Sequence, residues 1–225
     1  MLQLLLYFLL LVPVMNTADS DNPGPAMDEK LSLYTALNLS EKGLTSDVFQ
    51  LAMKGYRKLE TDGKLPHADI LTIVDFSQSS KKKRLYVIDL VKKALLFNTY
   101  VAHGRNTGDE YAKRFSNVSG SYQSSLGFYV TREEIVGSGV GLSLILDGLE
   151  KGFNDNALKR EIIMHGAEYA TENFIRKTGR LGRSFGCPSL PPDLIKPVVE
   201  TIKEGTCFFI YQQNQQYISH SRLLN

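Results

Sequence analysis

A mainly β domain, a mixed β-sheet or β-sandwich with N-terminal and peripheral α-helices, is what the sequence predicts, on three observations. Seven short runs rich in branched and aromatic residues lie between Asp69 and Gln213, divided by stretches dense in Gly, Ser, Asn and Asp. Helical periodicity is confined to the N-terminal part and to one segment after Leu190. A length of 225 residues, 43% of them hydrophobic, suits one globular domain with a small appendage. The formal charge of +2 gives no footing for nucleic acid as a partner.

The chain begins MLQLLLYFLLLVPVMNTADS, apolar from Leu2 to Met15 and without a charged side chain before Asp19. Such a run is short for a bilayer span and reads as a secretory signal over residues 1–18, with an uncleaved interfacial anchor as the alternative. Residues 19–26, polar with two prolines, read as a linker. A helical appendage is expected over residues 27–66. Leu31, Tyr34 and Leu37 recur at helical spacing there, and a second helix opens at Thr45-Ser46-Asp47, with Ser46 as cap and Val48, Leu51, Ala52, Tyr56 and Leu59 on one face. Gly55 weakens that helix by about 1 kcal/mol against alanine.

The β-rich domain, residues 67–225, follows. Its strands are expected in DILTIVDFS, KRLYVIDLV, ALLFNTYVAHG, SLGFYVTREE, LSLILDGLE, REIIMHG and TCFFIYQQ. Lys92-Lys93-Ala94 resembles a hairpin connection, and Lys81–Arg84 is read as a solvated charge run at a turn. Between Gly166 and Gly186 the reading is turn and loop. A short helix is expected from Asp193 to Lys203, interrupted near Pro197.

The chemistry concentrates on the two cysteines. Cys207 lies in an apolar strand, where a thiol behaves as a small hydrophobe. Cys187 lies in GRSFGCPSLPP, too broken for a helix or central strand, and loops of this kind hold reactive thiols. In an oxidising compartment the two could instead pair as a disulfide. A cysteine nucleophile needs a base, a group that orients the base, and donors for an oxyanion. His165 ends an apolar run, and the carbonyl of Gly166 could take its Nδ1 proton and leave Nε2 for the thiol. Gly186 and Cys187 can offer backbone N–H groups, since glycine has no Cβ to bar an acyl oxygen. His103, the other His-Gly pair, is the rival base. His103, His165, Cys187 and Cys207 have no short ligand spacing, so no metal is expected.

IIMHGAEY followed by RSFGCPSL resembles the signature of the murein L,D-transpeptidase catalytic domain, the YkuD-like superfamily: a His-Gly pair, a loop, then Ser-x-Gly-Cys. Seventeen residues separate Gly166 from Ser184, as that signature asks. VAHGRNTG, FSNVSGSYQSSLGFY, LDGLEKGFNDNA and GRLGRSFGCPSLP extend the likeness to a branch with proline after the cysteine, from about Leu85 to Tyr211.

The resemblance implies a mixed β fold and an exported, cofactor-free acyltransferase of the bacterial cell envelope, with the periplasm as its compartment. Peptidoglycan stem peptides are the implied substrate, and a covalent carbapenem adduct is expected. It makes Cys187 the nucleophile, His165 the base and Gly166 the orienting carbonyl. Ser184, Phe185 and Gly186 would shape the loop, and the backbone from Phe185 to Cys187 would supply oxyanion donors. Two departures stand out: Phe185 where commoner members carry histidine, and Ser189 where they carry arginine or asparagine. Arg180 and Arg183 are then the candidates for a substrate carboxylate, with Tyr169, His103 and Ser125 as further cleft residues. Three outcomes remain open: transfer to an amine, transfer to water as an L,D-carboxypeptidase, or a wall-binding domain without catalysis.

Overall fold

The computed structural model describes residues 32–137 and 139–225. The expected signal and linker lie outside the described residues, as does the start of the first helical segment.

Eight strands form one sheet: β1 (Ile70–Asp75), β2 (Leu85–Asp89), β3 (Ala94–Thr99), β4 (Gly127–Gly137), β5 (Gly141–Gly148), β6 (Ile163–Gly166), β7 (Ser189–Leu190) and β8 (Cys207–Tyr211). Their order is β3-β2-β1-β8-β4-β5-β6-β7. The pairs β1–β8 and β6–β7 are parallel and the rest antiparallel. Every expected strand forms. The β2–β3 hairpin lacks a glycine turn; the Asp89 carboxylate holds it instead, accepting the N–H groups of Val91 and Lys92 at 3.1 and 2.7 Å.

Helix α1 (Ser46–Thr61) lies against β1 and β8, and its apolar face joins the same core cluster as the sheet. Its cap is Thr45 rather than Ser46: the Thr45 hydroxyl accepts the N–H of Val48 at 3.4 Å. Gly55 has a packing reason. A Cβ there would stand 2.1 Å from Cζ of Phe128, whose ring stacks on Phe209 with centroids 4.0 Å apart. The helix reaches the sheet because this position has no side chain.

The stretch after Gly166, expected as loop, folds into a 3-10 turn (Glu168–Ala170) and helix α2 (Glu172–Thr178), the latter capped by Thr171. Helix α3 (Pro192–Ile202) runs through Pro197 without the expected break. Proline there removes one N–H bond, while Ile195, Val198, Val199 and Ile202 remain buried along one face. Helix α4 (Gln215–His220) closes the described chain. It brings Tyr217 and Ser221 onto the buried Glu150 carboxylate, which also accepts the N–H of Phe128 at 2.8 Å.

Lys81–Arg84 is not simply a solvated run. Arg84 is fully buried over the ring of Phe76, with Nε and Nη2 on the Val101 carbonyl at 3.1 and 2.9 Å and Nη1 on the Gln78 carbonyl at 2.8 Å. The branched fork matches acceptors that a lysine could not reach together.

Candidate active site

The site lies at the sheet edge where β7 joins β6. His165 faces Ser189 in the parallel register, its N–H donates to the Pro188 carbonyl at 3.3 Å, and Ala167 N–H donates to Leu190 at 2.8 Å. This pairing lays Cys187-Pro188-Ser189 alongside the strand that carries the histidine. Cys187 is therefore level with Ile163, and strand alternation turns residues 163 and 165 to one face.

His165 is 7% exposed, with Nδ1 3.0 Å from the carbonyl oxygen of Gly166. A carbonyl only accepts, so the neutral ring carries its proton on Nδ1 and keeps the Nε2 lone pair. That lone pair accepts the Ser189 hydroxyl at 3.0 Å, and the Tyr169 hydroxyl lies 3.0 Å from Ser189 Oγ. Burial holds the imidazole below its usual pKa. The sulfur of Cys187, half-buried, makes its own contact with the Glu161 carbonyl at 3.8 Å. Burial pushes the thiol up, opposed by the N–H of Ile163 and the charge of Arg160. Contrary to the sequence expectation, Nε2 meets Ser189 and not the thiol: residue 189 stands opposite residue 165, and the cysteine lies one pleat back.

The cysteine loop is tied down at several points. Ser184 Oγ donates to the Cys187 carbonyl at 2.6 Å and accepts Gly186 N–H at 3.0 Å. Ser124 Oγ donates to the Gly186 carbonyl at 2.9 Å and accepts Gly104 N–H at 3.0 Å. Gly186 has φ +135, and a Cβ on Gly104 would stand 2.9 Å from its Cα, so two backbones meet where side chains would separate them. The Gly186 N–H, expected as an oxyanion donor, is thus taken by Ser184. Among the described residues the N–H groups of Phe185 and Cys187 have no acceptor oxygen and remain as donors.

His103 and Ser125 do not line a cleft. His103 is 1% exposed; Arg84 Nη2 lies 2.9 Å from its Nδ1, which must therefore accept, and Nε2 then donates to the Gly108 carbonyl at 3.3 Å. Burial and the Arg84 charge hold this imidazole at about 3. With its lone pair already taken it cannot serve as the base, and it braces the turn that follows β3. Ser125, 2% exposed, donates to the Ser116 carbonyl at 2.8 Å and accepts from Arg160. Both are held inside because their polar atoms satisfy backbone and guanidinium groups. Tyr169 is half-buried and turned to Ser189.

Arg180 and Arg183 border a cavity of about 420 Å³ together with Arg105, Phe174, Thr178, Gly182 and Phe185. Asp109 pairs with Arg183 at 2.6 Å and lies 3.9 Å from Arg180. Phe185 is 67% exposed, its ring centroid 5.1 Å from that of Tyr122, and the Arg105 guanidinium lies over both rings at 5.7 and 5.8 Å. Sequence reasoning missed Arg105, and no short motif marks it. Cys187 and Cys207 are both free thiols; Cys207 is fully buried in β8, and burial pushes its thiol well up. Among the described residues no cluster of three His, Cys, Asp or Glu side chains is placed to hold a metal.

The L,D-transpeptidase catalytic domain family matches residues 40–211, and the chain belongs to that family. Among solved structures it is similar to an L,D-transpeptidase from Mycobacterium smegmatis, at 11% identity over 64% of this chain and 59% of that one, with a TM-score of 0.40. It is also similar to L,D-transpeptidase 3 from Mycobacterium tuberculosis in complex with a faropenem-derived adduct, at 12% identity over 64% and 60% of the two chains, TM-score 0.42. The chain thus spans about three-fifths of the length of these structures. None of the curated proteins compared matches it.

Proposed function

We propose that the protein is a cysteine-dependent acyltransferase of the bacterial cell envelope, acting on peptidoglycan stem peptides at the bond between an L- and a D-centre. The observation that carries this reading is the β6–β7 register, which runs the Cys187 loop beside a histidine with its Nδ1 proton fixed on Gly166.

In this mechanism the Ser189 hydroxyl yields Nε2, the Cys187 side chain turns toward the ring, and its proton passes to His165. The thiolate attacks the acyl carbon. The oxyanion forms beside the N–H groups of Phe185 and Cys187, where preformed donors are worth most. The C–N bond breaks, the imidazolium gives its proton to the departing D-amino acid, and the acyl group stays on sulfur as a thioester. An amine of a neighbouring stem attacks that thioester, His165 takes its proton, and the thiolate leaves. Arg105, Arg180 and Arg183 around the adjoining cavity give a donor or acceptor carboxylate its counter-charges.

The test is incubation with purified tetrapeptide muropeptides. Cross-linked dimers, lost in Cys187→Ala, are expected. Tripeptides alone would make water the acceptor, and an unchanged substrate with folded protein would remove the enzymatic reading.

A further inference from the structure

One cation near the nucleophile is left over by this mechanism. Arg160, half-buried just before β6, meets only neutral acceptors: Nη1 donates to the Ser116 carbonyl at 2.7 Å and to the Ser125 hydroxyl, Nη2 to the Gln123 carbonyl at 2.7 Å and the Ser121 hydroxyl at 3.3 Å. Among the described residues no aspartate or glutamate pairs with it, in contrast to Arg132, Arg176, Arg180 and Arg183. A guanidinium removed from water without a counter-ion is unfavourable, and an anion formed within its field is correspondingly stabilised.

The group able to become that anion is the Cys187 thiol. Its sulfur touches the carbonyl of Glu161, the residue after Arg160, at 3.8 Å. Arg160 Nη2 lies 3.6 Å from where a Cβ on Gly186, the residue before the cysteine, would stand. Guanidinium and thiol therefore flank one turn of the loop. Tyr129 also feels Arg160, but burial pushes its hydroxyl up and keeps it neutral.

We infer that Arg160 is a positioning residue for the reaction, its fixed charge compensating the Cys187 thiolate formed when the proton passes to His165. This rests on the reading of Cys187 as nucleophile. The other groups acting on the sulfur are Glu161, an exposed carboxylate that opposes the thiolate, and the Tyr169 hydroxyl, while His165 on the adjoining strand keeps its Nε2 on Ser189. Arg160 lowers the thiol's proton affinity against the burial that raises it.

The experiment is the pH profile of Cys187 alkylation by iodoacetamide in the folded full chain, which needs no substrate and so separates this inference from the transpeptidation assay. Arg160→Gln is expected to move the midpoint upward by about one pH unit and slow alkylation at pH 7 about tenfold. Arg160→Lys, which keeps the charge but loses the fork that braces Ser116–Ser125, is expected to keep the wild-type midpoint while melting lower. A folded Arg160→Gln protein with an unmoved midpoint would make Arg160 a loop brace only and overturn the inference. If Arg160→Gln does not fold, Arg160→Met, which keeps an unbranched stem without the charge, is read in the same way: a midpoint raised by about one pH unit supports the inference, and an unmoved midpoint overturns it.

Discussion

Ser184→Ala isolates how the Cys187 loop is held. The Ser184 hydroxyl, in a residue 5% exposed, makes two bonds within its own turn: it donates to the Cys187 carbonyl at 2.6 Å and accepts the Gly186 N–H at 3.0 Å. Alanine removes both and leaves the N–H of the buried Gly186 without its partner. A net hydrogen bond contributes about 1 kcal/mol, and an orphaned buried group costs about 1–3 kcal/mol, so the sum is about 2–4 kcal/mol. In a domain of this size each kcal/mol moves Tm by about 2–4 °C, which puts the expected fall at about 4–16 °C. Calorimetry reads the stability, and alkylation of Cys187 reads the loop. The thiol of the variant should react faster with iodoacetamide as the turn loosens, while transpeptidation falls because the thiol and the Phe185 and Cys187 N–H groups no longer hold one geometry. A variant that melts within 2 °C of wild type and keeps its turnover would refute the assignment of Ser184 as the clasp of the loop.

Gly55→Ala should destabilise despite the gain of about 1 kcal/mol in helix propensity, because the added methyl meets Phe128 at 2.1 Å and overpacking costs about 1–3 kcal/mol or more; urea denaturation checks the sign. Cys207→Ser should keep Cys187 alkylation and turnover while losing about 1–3 kcal/mol, since it buries a hydroxyl in the apolar interior of β8. Stability should also fall with acid. His103 is held at about 3 in the folded protein against 6.5 unfolded, so below pH 6.5 the unfolded chain binds a proton that the folded one refuses. The contribution is absent above pH 6.5 and grows by about 1.4 kcal/mol per unit as pH falls toward 3. Denaturation at pH 7 and pH 5 should differ by about 2 kcal/mol from this residue alone, with His165 acting in the same direction.

The expected strands were legible because branched and aromatic runs between turn-rich stretches leave little other choice. Strand β7 was not, since two residues beside Gly-Cys-Pro carry no periodicity and are strand only because β6 pairs with them. Helix α2, seven residues with none fully buried, has no apolar stripe to announce it. His103 and His165 look alike in sequence, each closing an apolar run before a glycine; what separates them is Arg84, whose burial no local pattern reveals. Ser189 stood out as a departure from the resembled pattern, yet its place on Nε2 comes from strand register, which only the fold supplies.

The most direct test of a thiol and imidazole acting together is intact-mass and peptide mapping after incubation of the folded protein with a carbapenem. The expected result is one covalent adduct on Cys187, absent in Cys187→Ala, present in Cys207→Ser, and much slower to form in His165→Gln. An adduct mapping to Cys207, or formed at the wild-type rate without the His165 imidazole, would contradict it.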